Sequence, residues 1–429
     1  MRTIVNPSRQ EWANLCERPT IENVTLNQAV TTILEDVKRN GDEAIFRLEK
    51  NFDKVELKEL LVSKAEIDFA ISQVSEDLKS AIQLAKNNIE CFHASQKETI
   101  QKIETTDGVV CWRKSVAIEK VGLYIPGGTA PLFSTVLMLG IPAKLAGCKE
   151  IILCTPPSQD ESVNATLLYT VNLIGIEKIY KIGGAQAIAA MTFGTESVVA
   201  VDKIFGPGNQ FVTKAKELAQ LEGISIDMPA GPSELLVIAD VAANPEFVAS
   251  DLLSQAEHGT DSQVLLLSDN QEFLAETKIE LDKQLALLPR KDIAAKALKN
   301  SISIAFSSIE DCMMFSNQYA PEHLILAVND AEKLAVSVYN AGSVFLGNYS
   351  CESAGDYASG TNHTLPTNGY ARQFSGVSLE SFVRKITFQN ITEQGIQAIG
   401  PAIELMAEAE ELFAHKNAVT VRLKALKNV

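Results

Sequence analysis

From about residue 120 to about residue 348, short apolar runs alternate with longer segments whose apolar positions recur three and four residues apart. Glycine or proline bounds many of the short runs, as is typical of buried strands, and the longer spacing is typical of helices. Strands and helices in alternation predict βαβ crossovers and therefore parallel sheets with helices on both faces. The predicted strands lie, in chain order, in EKVGLYIPGG, KEIILCTPP, KIYKIGG, SVVAVDKIFGPG, SELLVIAD, SQVLLLSD, SISIAFSS, HLILAVND and AGSVFLGN.

This alternation of strands and helices occurs in two successive stretches of the chain, which indicates two α/β units of similar plan. The segment before about residue 107 is charged and helix-rich, with helical spacing in ENVTLNQAVTTILEDVKRNG and SEDLKSAIQLAKNNIE. The segment after about residue 380 is predicted to be helical and holds its own polar cluster. Because 429 residues exceed what one core usually supports, more than one domain is expected.

Composition narrows the classes of function. The chain carries 38 Lys and Arg against 54 Asp and Glu, a net charge of −16, which argues against nucleic acid or an anionic membrane as a partner. Acidity also serves solubility, so it favours a cationic or neutral substrate only mildly. No uncharged apolar run approaches about 18 residues, and MRTIVNPSRQ at the start has no apolar signal core. Neither a membrane span nor export is expected, and the default location is the cytoplasm.

The seven cysteines form no CxxC pair and no framework of paired spacings, which favours reduced thiols over disulfides. Cys111 lies shortly before the first predicted strand, EKVGLYIPGG, and Cys148 directly precedes the second, KEIILCTPP. Neither has a neighbouring His or a helix start that would lower its pKa, so a nucleophilic role is not favoured for either.

The turns that follow strands of the first α/β unit are rich in glycine, with the pairs Gly127 and Gly128, Gly183 and Gly184, and Gly206 and Gly208. Such turns let peptide N–H groups approach a phosphate at a helix start, at the edge where open parallel sheets bind ligands. None matches GxGxxG, so tight turns that need positive φ are an alternative to a nucleotide site. The polar residues at this edge are Tyr124 after the first strand and Gln186 and Asn209 at helix starts.

A predicted helix in the second unit ends on Gln255 and His258, three residues apart and therefore on one face of its last turn. The simplest interpretation is a solvated helix end with a histidine near the negative pole of the helix dipole. Polar side chains from elsewhere in the chain that lie close to Gln255 and His258 would change that interpretation.

Four of the five histidines fall in polar, loop-like or helix-end stretches: His258, His323, His363 and His415. The fifth lies in a mixed helix. Imidazole, carboxylate and amide groups that converge suit a borderline metal such as Zn²⁺, although spacing does not establish convergence. No HExxH occurs, so a zincin protease is not supported. The carboxylates near these histidines are Glu257, Glu322, Asp356, Glu408, Glu410 and Glu411.

Eight segments in this order closely resemble the histidinol dehydrogenase family, over nearly the whole chain from about residue 20: VGLYIPGG, GGAQAIAA, KIFGPGN, MPAGPSE, LLSQAEHG, YAPEHL, GDYASGTNHTLPT and AHKNAVT. The resemblance implies a zinc enzyme, with one zinc per subunit, that oxidises L-histidinol through L-histidinal to L-histidine with two NAD⁺, the last two steps of histidine biosynthesis. It also implies a homodimer with a shared active site. Each subunit would be α/β, with two incomplete Rossmann-like parallel-sheet domains and small helical terminal segments, which agrees with the missing GxGxxG.

The family's functional residues carry over by motif. The resemblance implies that Glu322 and His323 are the acid–base pair. The implied zinc ligands are Gln255, His258, Asp356 and His415. The implied NAD positions are Tyr124, Gln186 and Asn209. The implied substrate positions are Ser233, His323, Glu410 and the four zinc ligands, and His363 is expected to line the same pocket.

The implied domains are an N-terminal arm (1–25), an NAD-binding Rossmann-like domain (121–234), a second Rossmann-like domain with the metal and catalytic motifs (26–120 and 235–380), and a helical C-terminal tail that donates site residues (381–429). A tail of this kind reaches a site in its own chain or in a neighbour, and the resemblance favours the neighbour.

The residue types suit the implied chemistry. Oxidation of a primary alcohol needs a base for the hydroxyl proton, which a neutral imidazole such as His323 provides near pH 7. The aldehyde must be hydrated before the second oxidation, and the carboxylate of Glu322 would activate that water. The substrate's imidazole and amine are good zinc ligands, so the metal is expected to position the substrate, while Glu410 would pair with a cationic group.

Two other classes use the same residues. A zinc hydrolase built on the histidines and carboxylates would need no nucleotide. A non-catalytic metal- or nucleotide-binding protein would bind zinc and form no NADH from histidinol.

Overall fold

A computed structural model of the chain describes residues 1–18, 24–127, 131–229 and 231–427, so Gly128 of the first glycine-rich turn lies outside the described residues. In chain order the strands are β1 (Arg2–Val5), β2 (Lys102–Thr106), β3 (Val109–Ala117), β4 (Lys120–Tyr124), β5 (Glu150–Thr155), β6 (Lys178–Lys181), β7 (Lys203–Phe205), β8 (Ser225–Ile226), β9 (Glu234–Ala239), β10 (Gln263–Ser268), β11 (Ile302–Ala305), β12 (His323–Ala327), β13 (Ser343–Leu346) and β14 (Val383–Ile391).

The helices are α1 (Trp12–Leu15), α2 (Val24–Phe52), α3 (Lys64–Gln73), α4 (Glu76–Ala94), α5 (Phe133–Ala146), α6 (Ala165–Ile174), α7 (Gly184–Phe193), α8 (Gln210–Leu221), α9 (Pro245–Ala256), α10 (Gln271–Leu287), α11 (Lys291–Ala297), α12 (Ile309–Tyr319), α13 (Ala331–Ala335), α14 (Glu352–Tyr357), α15 (Glu393–Ala409) and α16 (Phe413–Lys427). Short 3-10 helices span Leu298–Asn300, Tyr370–Arg372 and Leu379–Phe382.

The two parallel sheets share one strand order. The smaller sheet runs β6-β5-β4-β7-β8, and the larger runs β1-β11-β10-β9-β12-β13. If the strands of each unit are counted from its central strand, β4 or β9, and the N-terminal β1 at the edge of the larger sheet is left aside, both orders are 3-2-1-4-5, which is the Rossmann order without its sixth strand. The central strands β4, β5, β9, β10, β11 and β12 are apolar and mostly buried because helices cover both faces of each sheet. The predicted α/β fold class with two incomplete Rossmann-like units is therefore confirmed.

The N-terminal helices pack against the smaller sheet's unit. Helix α2 contacts α7 and α8, α3 contacts α6, and α4 contacts α5. The apolar stripe of α2, which includes Val30 and Ile45, joins one core cluster with Ile188 of α7 and Val212 of α8. This packing differs from the predicted grouping of residues 26–120 with residues 235–380, because sequence order alone does not show which unit receives an apolar stripe.

The N-terminal arm adds a strand to the larger sheet. Strand β1 pairs in parallel with β11, with Arg2 opposite Ile302. Trp12 of α1 is buried edge-on against Phe306 and Phe315 of the same unit. Residues 1–18 are thus an integral part of this unit.

A third sheet, antiparallel and in the order β14-β3-β2, joins residues 383–391 to residues 102–117. All nine residues of β14 pair with β3. The tail from residue 381, which was predicted to be helical, therefore begins with a strand, and its helices α15 and α16 follow and pack on each other. Within the described residues, no helix is long and apolar enough to cross a membrane. The cytoplasmic location stays a prediction.

Candidate active site

Two cavities lie side by side and share Asn209 in their walls. The larger, of about 960 Å³, is also lined by Tyr124 and Gln186, which lie at the carboxyl edge of the smaller sheet. The smaller cavity, of about 510 Å³, is also lined by Ser233 and His258. The three residues predicted for NAD thus line one cavity, and several predicted for metal and substrate line its neighbour.

The polar groups of the larger cavity are held by hydrogen bonds at the start of α7. The hydroxyl of Tyr124 accepts from the N–H of Gly184 at 3.0 Å, and burial raises the pKa of Tyr124. Nε2 of Gln186 donates to Oε1 of Glu49 at 2.9 Å, and the N–H of Gly183 donates to the same oxygen at 3.0 Å. The edge is rigid because each group is bound to another element.

Glu49 and Asp53 of α2 form a carboxyl pair behind this edge. Burial, followed by the charge of Asp53, raises the pKa of Glu49 to about 7, and burial raises the pKa of Asp53. Oε2 of Glu49 is buried without a hydrogen-bond partner. Asp53 also lines the larger cavity, so the pair places a protonatable group beside it.

Asn209 caps α8 as well as lining both cavities. Its Oδ1 accepts from the N–H groups of Phe211 at 3.0 Å and Val212 at 3.1 Å. This cap fixes the direction of the helix whose N-terminus faces the cavities.

The C-terminal end of α9 brings Gln255 and His258 to the smaller cavity. The helix begins with Asn244 as its cap and Pro245 in its first turn, and its apolar face packs on the larger sheet. Nε2 of Gln255 lies 3.1 Å from Nδ1 of His258, and the buried Oε1 of Gln255 has no hydrogen-bond partner. His258 is exposed, so this helix end presents a buried amide oxygen beside an accessible imidazole.

Helix α14 supplies two carboxylates to the same place. Glu352 and Asp356 are four residues apart on one face, and together with His258 each offers a ligand atom within 4.8 Å of the others. Glu352 is buried, and burial, followed by the charge of Asp356, raises its pKa well above the usual range. This arrangement could hold a metal ion.

His323 begins β12 and lies in the centre of these groups. Its Nδ1 is 3.3 Å from the carbonyl oxygen of Glu234, which can only accept, so Nδ1 carries the proton. Its Nε2 lies 3.8 Å from Oδ1 of Asp356 and is buried without a hydrogen-bond partner. Burial lowers the pKa of His323 to about 4, although Asp356 opposes this. The imidazole is therefore neutral at pH 7, with a free basic nitrogen.

Glu322 directly precedes His323 and lines the smaller cavity. Its Oε2 accepts from the N–H of Glu234 at 2.8 Å. Burial raises the pKa of Glu322 well above the usual range, and the Glu234 N–H opposes that rise. A buried carboxyl group in the cavity wall is placed for proton transfer with a water or substrate bound there.

His363 also lies in this cavity wall, as expected. Nδ1 of His363 is 2.9 Å from the carbonyl oxygen of Asp356, and Nε2 is 3.0 Å from the hydroxyl of Thr135 on α5. His363 thus connects the carboxylate helix α14 to the smaller sheet's unit.

Glu410 and His415 are not brought to the site by their own chain. Both are exposed: Glu410 directly follows α15, and His415 lies in the first turn of α16, which packs chiefly on α15. Among the described residues, the group with metal-ligating geometry comprises His258, Glu352 and Asp356. Within one chain, the implied zinc ligand His415 is therefore separate from the other implied ligands, which are Gln255, His258 and Asp356.

Sequence reasoning missed Glu352 and the pair of Glu49 and Asp53. The signal for Glu352 was present, since it lies one helical turn before Asp356 in ESAGDY. The pair is also spaced by four residues, but its position beside the larger cavity depends on how α2 packs on α7.

The thiols take no part in this site. All seven cysteines are free, as expected. Cys148 is buried, and burial raises its pKa to about 11, which makes it a poor nucleophile.

Comparisons with known proteins agree over the full length. Residues 16–423 match the family model for histidinol dehydrogenase. The chain is 58% identical over 427 residues to histidinol dehydrogenase from Bacteroides thetaiotaomicron, with all of both chains covered. It is 52% identical over 419 residues to that from Pasteurella multocida, covering 98% of this chain and 97% of the relative.

A solved structure agrees as well. The crystal structure of histidinol dehydrogenase from Elizabethkingia anophelis superimposes with a TM-score of 0.98 at 62% identity, covering 100% of this chain and 99% of that one. The chain therefore belongs to the histidinol dehydrogenase family.

Proposed function

We propose that this chain catalyses the oxidation of L-histidinol through L-histidinal to L-histidine, with NAD⁺ in the larger cavity and zinc in the smaller one. The key observation is that the two cavities share Asn209, so the imidazoles and carboxylates of one lie beside the glycine-rich edge of the other. Family membership supports the same reaction.

His258 in the wall of the smaller cavity and the side chains next to it fit a zinc ion. His258 and Asp356 offer ligand atoms close together, and the buried Oε1 of Gln255 has no hydrogen-bond partner. A buried amide oxygen left unpartnered beside an imidazole and a carboxylate suits a borderline cation. These three residues would hold the zinc, which, when bound, supplies a template for the imidazole and amine of the substrate.

The residues of the larger cavity fit a dinucleotide. The cavity lies at the carboxyl edge of a parallel sheet, where open α/β sheets bind nucleotides. Tyr124, Gln186 and Asn209 would contact NAD⁺, which, when bound, accepts the hydride.

His323 would take the hydroxyl proton in both oxidations. Because Nδ1 donates to the carbonyl of Glu234, Nε2 has its lone pair available and faces no competing protein donor within hydrogen-bond distance among the described residues. In each oxidation a hydride leaves carbon while the proton on oxygen moves to Nε2.

Glu322 would activate water between the two oxidations. The aldehyde becomes a hydrate when water adds to its carbonyl carbon: the carboxylate of Glu322 would remove a proton from that water, and the resulting carboxyl group would return a proton to the former carbonyl oxygen. The N–H of Glu234 holds Oε2 and so orients the carboxyl group. The hydrate then loses a second hydride and proton to give the carboxylic acid.

A second copy of the chain would complete the site. Glu410 and His415 flank the exposed turn between α15 and α16, which also presents the large apolar side chains of Leu412 and Phe413 to solvent. We propose that this turn enters the smaller cavity of the partner in a homodimer, where His415 binds zinc and Glu410 binds a cationic group of the substrate.

The proposal is tested by following NADH absorbance with L-histidinol and NAD⁺ while substrate consumption is measured. The expected result is two NADH per L-histidinol consumed, and a chain with His323→Asn provides the matched background. Consumption of L-histidinol without formation of NADH would contradict the proposed reaction. A chain that binds zinc but neither consumes L-histidinol nor forms NADH would contradict it as well.

A further inference from the structure

The backbone of one residue contacts both members of the acid–base pair. The N–H of Glu234, the first residue of β9, donates to Oε2 of Glu322 at 2.8 Å. The carbonyl oxygen of the same residue lies 3.3 Å from Nδ1 of His323. The backbone position of Glu234 therefore sets where the carboxyl group and the imidazole lie relative to each other.

The side chain of Glu234 is held in turn by the N-terminal segment. Nε and Nη2 of Arg18 donate to Oε1 and Oε2 of Glu234 at 2.9 and 3.0 Å, a two-pronged ion pair. The N–H of Asn368 donates to Oε1 at 2.8 Å. The side chains of Arg18 and Glu234 are only 9% and 1% exposed, so solvent hardly weakens this pair.

Arg18 also contacts the turn at Tyr319 and Ala320, which directly precedes the segment of Glu322 and His323. Its Nη2 donates to the carbonyl oxygen of Tyr319 at 2.7 Å, and its Cζ lies 3.7 Å from the centre of the Tyr319 ring. The next residue, Ala320, has φ of +57°, which is unusual for a residue with a Cβ and needs support from its surroundings. Glu322 follows two residues later, so one guanidinium fixes the segments on both sides of the acid–base pair.

Stability alone does not explain a buried pair of this kind. Removing two charges from water is costly, and apolar side chains of similar volume often give equal stability. The planar fork of arginine supplies fixed geometry that the flexible, point-charged lysine does not. Neither Arg18 nor Glu234 is among the described residues that line the smaller cavity, so both act through other groups.

We propose that Arg18 and Glu234 are positioning residues for the acid–base pair. The inference rests on the proposed roles of Glu322 and His323. The guanidinium fixes Glu234 and the Tyr319 turn, and the backbone N–H and carbonyl of Glu234 then hold Oε2 of Glu322 and Nδ1 of His323 in position for proton transfer.

The test compares Arg18→Lys with the unaltered dimer and with Arg9→Lys, a control on the same segment whose side chain is 71% exposed. For each chain, kcat is measured per folded molecule, with L-histidinol and with L-histidinal, together with KM for NAD⁺ and zinc content. Arg18→Lys is expected to lower kcat with both substrates by about 10- to 100-fold, because small misplacements of reacting groups have costs of this order. KM for NAD⁺ and zinc content are expected to stay unchanged, and Arg9→Lys to behave as the unaltered chain.

A second variant covers the case in which Arg18→Lys does not fold. Glu234→Gln keeps an acceptor oxygen for Asn368 and for one prong of Arg18, and is expected to lower kcat in the same direction by a smaller factor. Lower thermal stability with unchanged kcat per folded molecule in the folded variants would overturn the inference and leave the proposed function standing. If the unaltered chain forms no NADH from L-histidinol, the proposed function and the positioning roles fail together.

Discussion

The side-chain nitrogen of Gln255 lies 3.1 Å from Nδ1 of His258, within the last turn of α9 and the residues that follow it. This contact turns the amide so that its oxygen is left buried and without a partner. Asp356 and Glu352 approach the same imidazole from α14. The end of α9 therefore lies in a group of side chains that could hold a metal ion.

Replacing His258 with Asn is expected to weaken zinc and L-histidinol binding together. The variant removes an imidazole ligand and loosens the template that holds the substrate, so zinc affinity should fall at least about tenfold. Metal content after dialysis against a chelator and calorimetric titration with L-histidinol measure the two effects. Glu257→Gln, at the adjacent position outside the metal-ligating group, is the matched control. Full metal content and full affinity in His258→Asn would remove this residue from the ligand set.

Substitutions at Asn209 are expected to separate its structural role from its proposed contact with NAD⁺. Asn209→Ala loses the cap of α8 and should cost about 1 kcal/mol of stability, whereas Asn209→Ser keeps a capping oxygen. Both should lower NAD⁺ affinity, because both remove the amide shared by the two cavities. Urea unfolding and NAD⁺ titration measure the two properties. Unchanged NAD⁺ affinity in Asn209→Ser would leave Asn209 as a cap alone.

Much of the fold was predictable because its strands and helices are marked by local patterns. The apolar run HLILAVND contains β12, and the helical spacing in SEDLKSAIQLAKNNIE coincides with most of α4. The antiparallel sheet was missed although Asp107 and Gly108 join β2 to β3 in a tight turn, with φ of +80° at Gly108. Its third strand, β14, lies more than 260 residues further along the chain, and no local pattern indicates such a pairing.

The site was predictable in its residues and not in its placement. Motif resemblance named His323 and Glu322, and the run HLILAVND predicted a strand that starts at His323, but no local pattern showed that this amino edge of the larger sheet lies beside the other unit. That placement follows from how the two units pack, which brings this amino edge to Asn209 beside the carboxyl edge of the smaller sheet. The contacts of Arg18 with Glu234, 216 positions apart, were likewise beyond any local pattern.

Glu49→Gln is expected to stabilise the chain above neutral pH. The pKa of Glu49 is raised from its unfolded value near 4.5 to about 7, so the folded state binds more protons between these values. Stability linked to this proton is fully present below about pH 4.5 and is lost as pH rises through about 7. Gln keeps an acceptor oxygen and carries no charge, so the gain should reach at most about 3 kcal/mol at pH 8 and vanish near pH 4.5.

Urea unfolding of the metal-free chain between pH 5 and pH 8.5 measures this effect. Glu56→Gln, whose side chain is 78% exposed, is the control and should change stability little at any pH. A stability difference between Glu49→Gln and the unaltered chain that does not depend on pH would show that the carboxyl group is ionised throughout.

Mixing two inactive variants is expected to restore activity if the tail completes a partner's site. His258→Asn and His415→Asn remove ligands from different elements, so a mixed dimer holds one site with both defects and one intact site. With full exchange, up to about a quarter of the original activity should return, since random pairing makes half of the dimers mixed. Subunit exchange is verified with differently tagged chains. Exchange without recovery would place Glu410 and His415 in the site of their own chain.

Glu322 and His323 are expected to contribute unequally to the two oxidations. Glu322→Gln keeps an acceptor for the N–H of Glu234 and removes the base, so oxidation of L-histidinal should fall by about 10²- to 10⁴-fold and much more than oxidation of L-histidinol. His323→Asn should slow both, because a proton leaves oxygen in each.

Single-turnover assays started separately from L-histidinol and from L-histidinal distinguish these roles. The structure gives each residue its own tether to Glu234, the N–H for the carboxyl group of Glu322 and the carbonyl for the ring of His323, so each can be altered without releasing the other. Equal losses for both substrates in Glu322→Gln would contradict this division. Glu322, whose Oε2 lies 3.7 Å from Nδ1 of His323, would then act by orienting that imidazole. Another group of the cavity would have to activate the water.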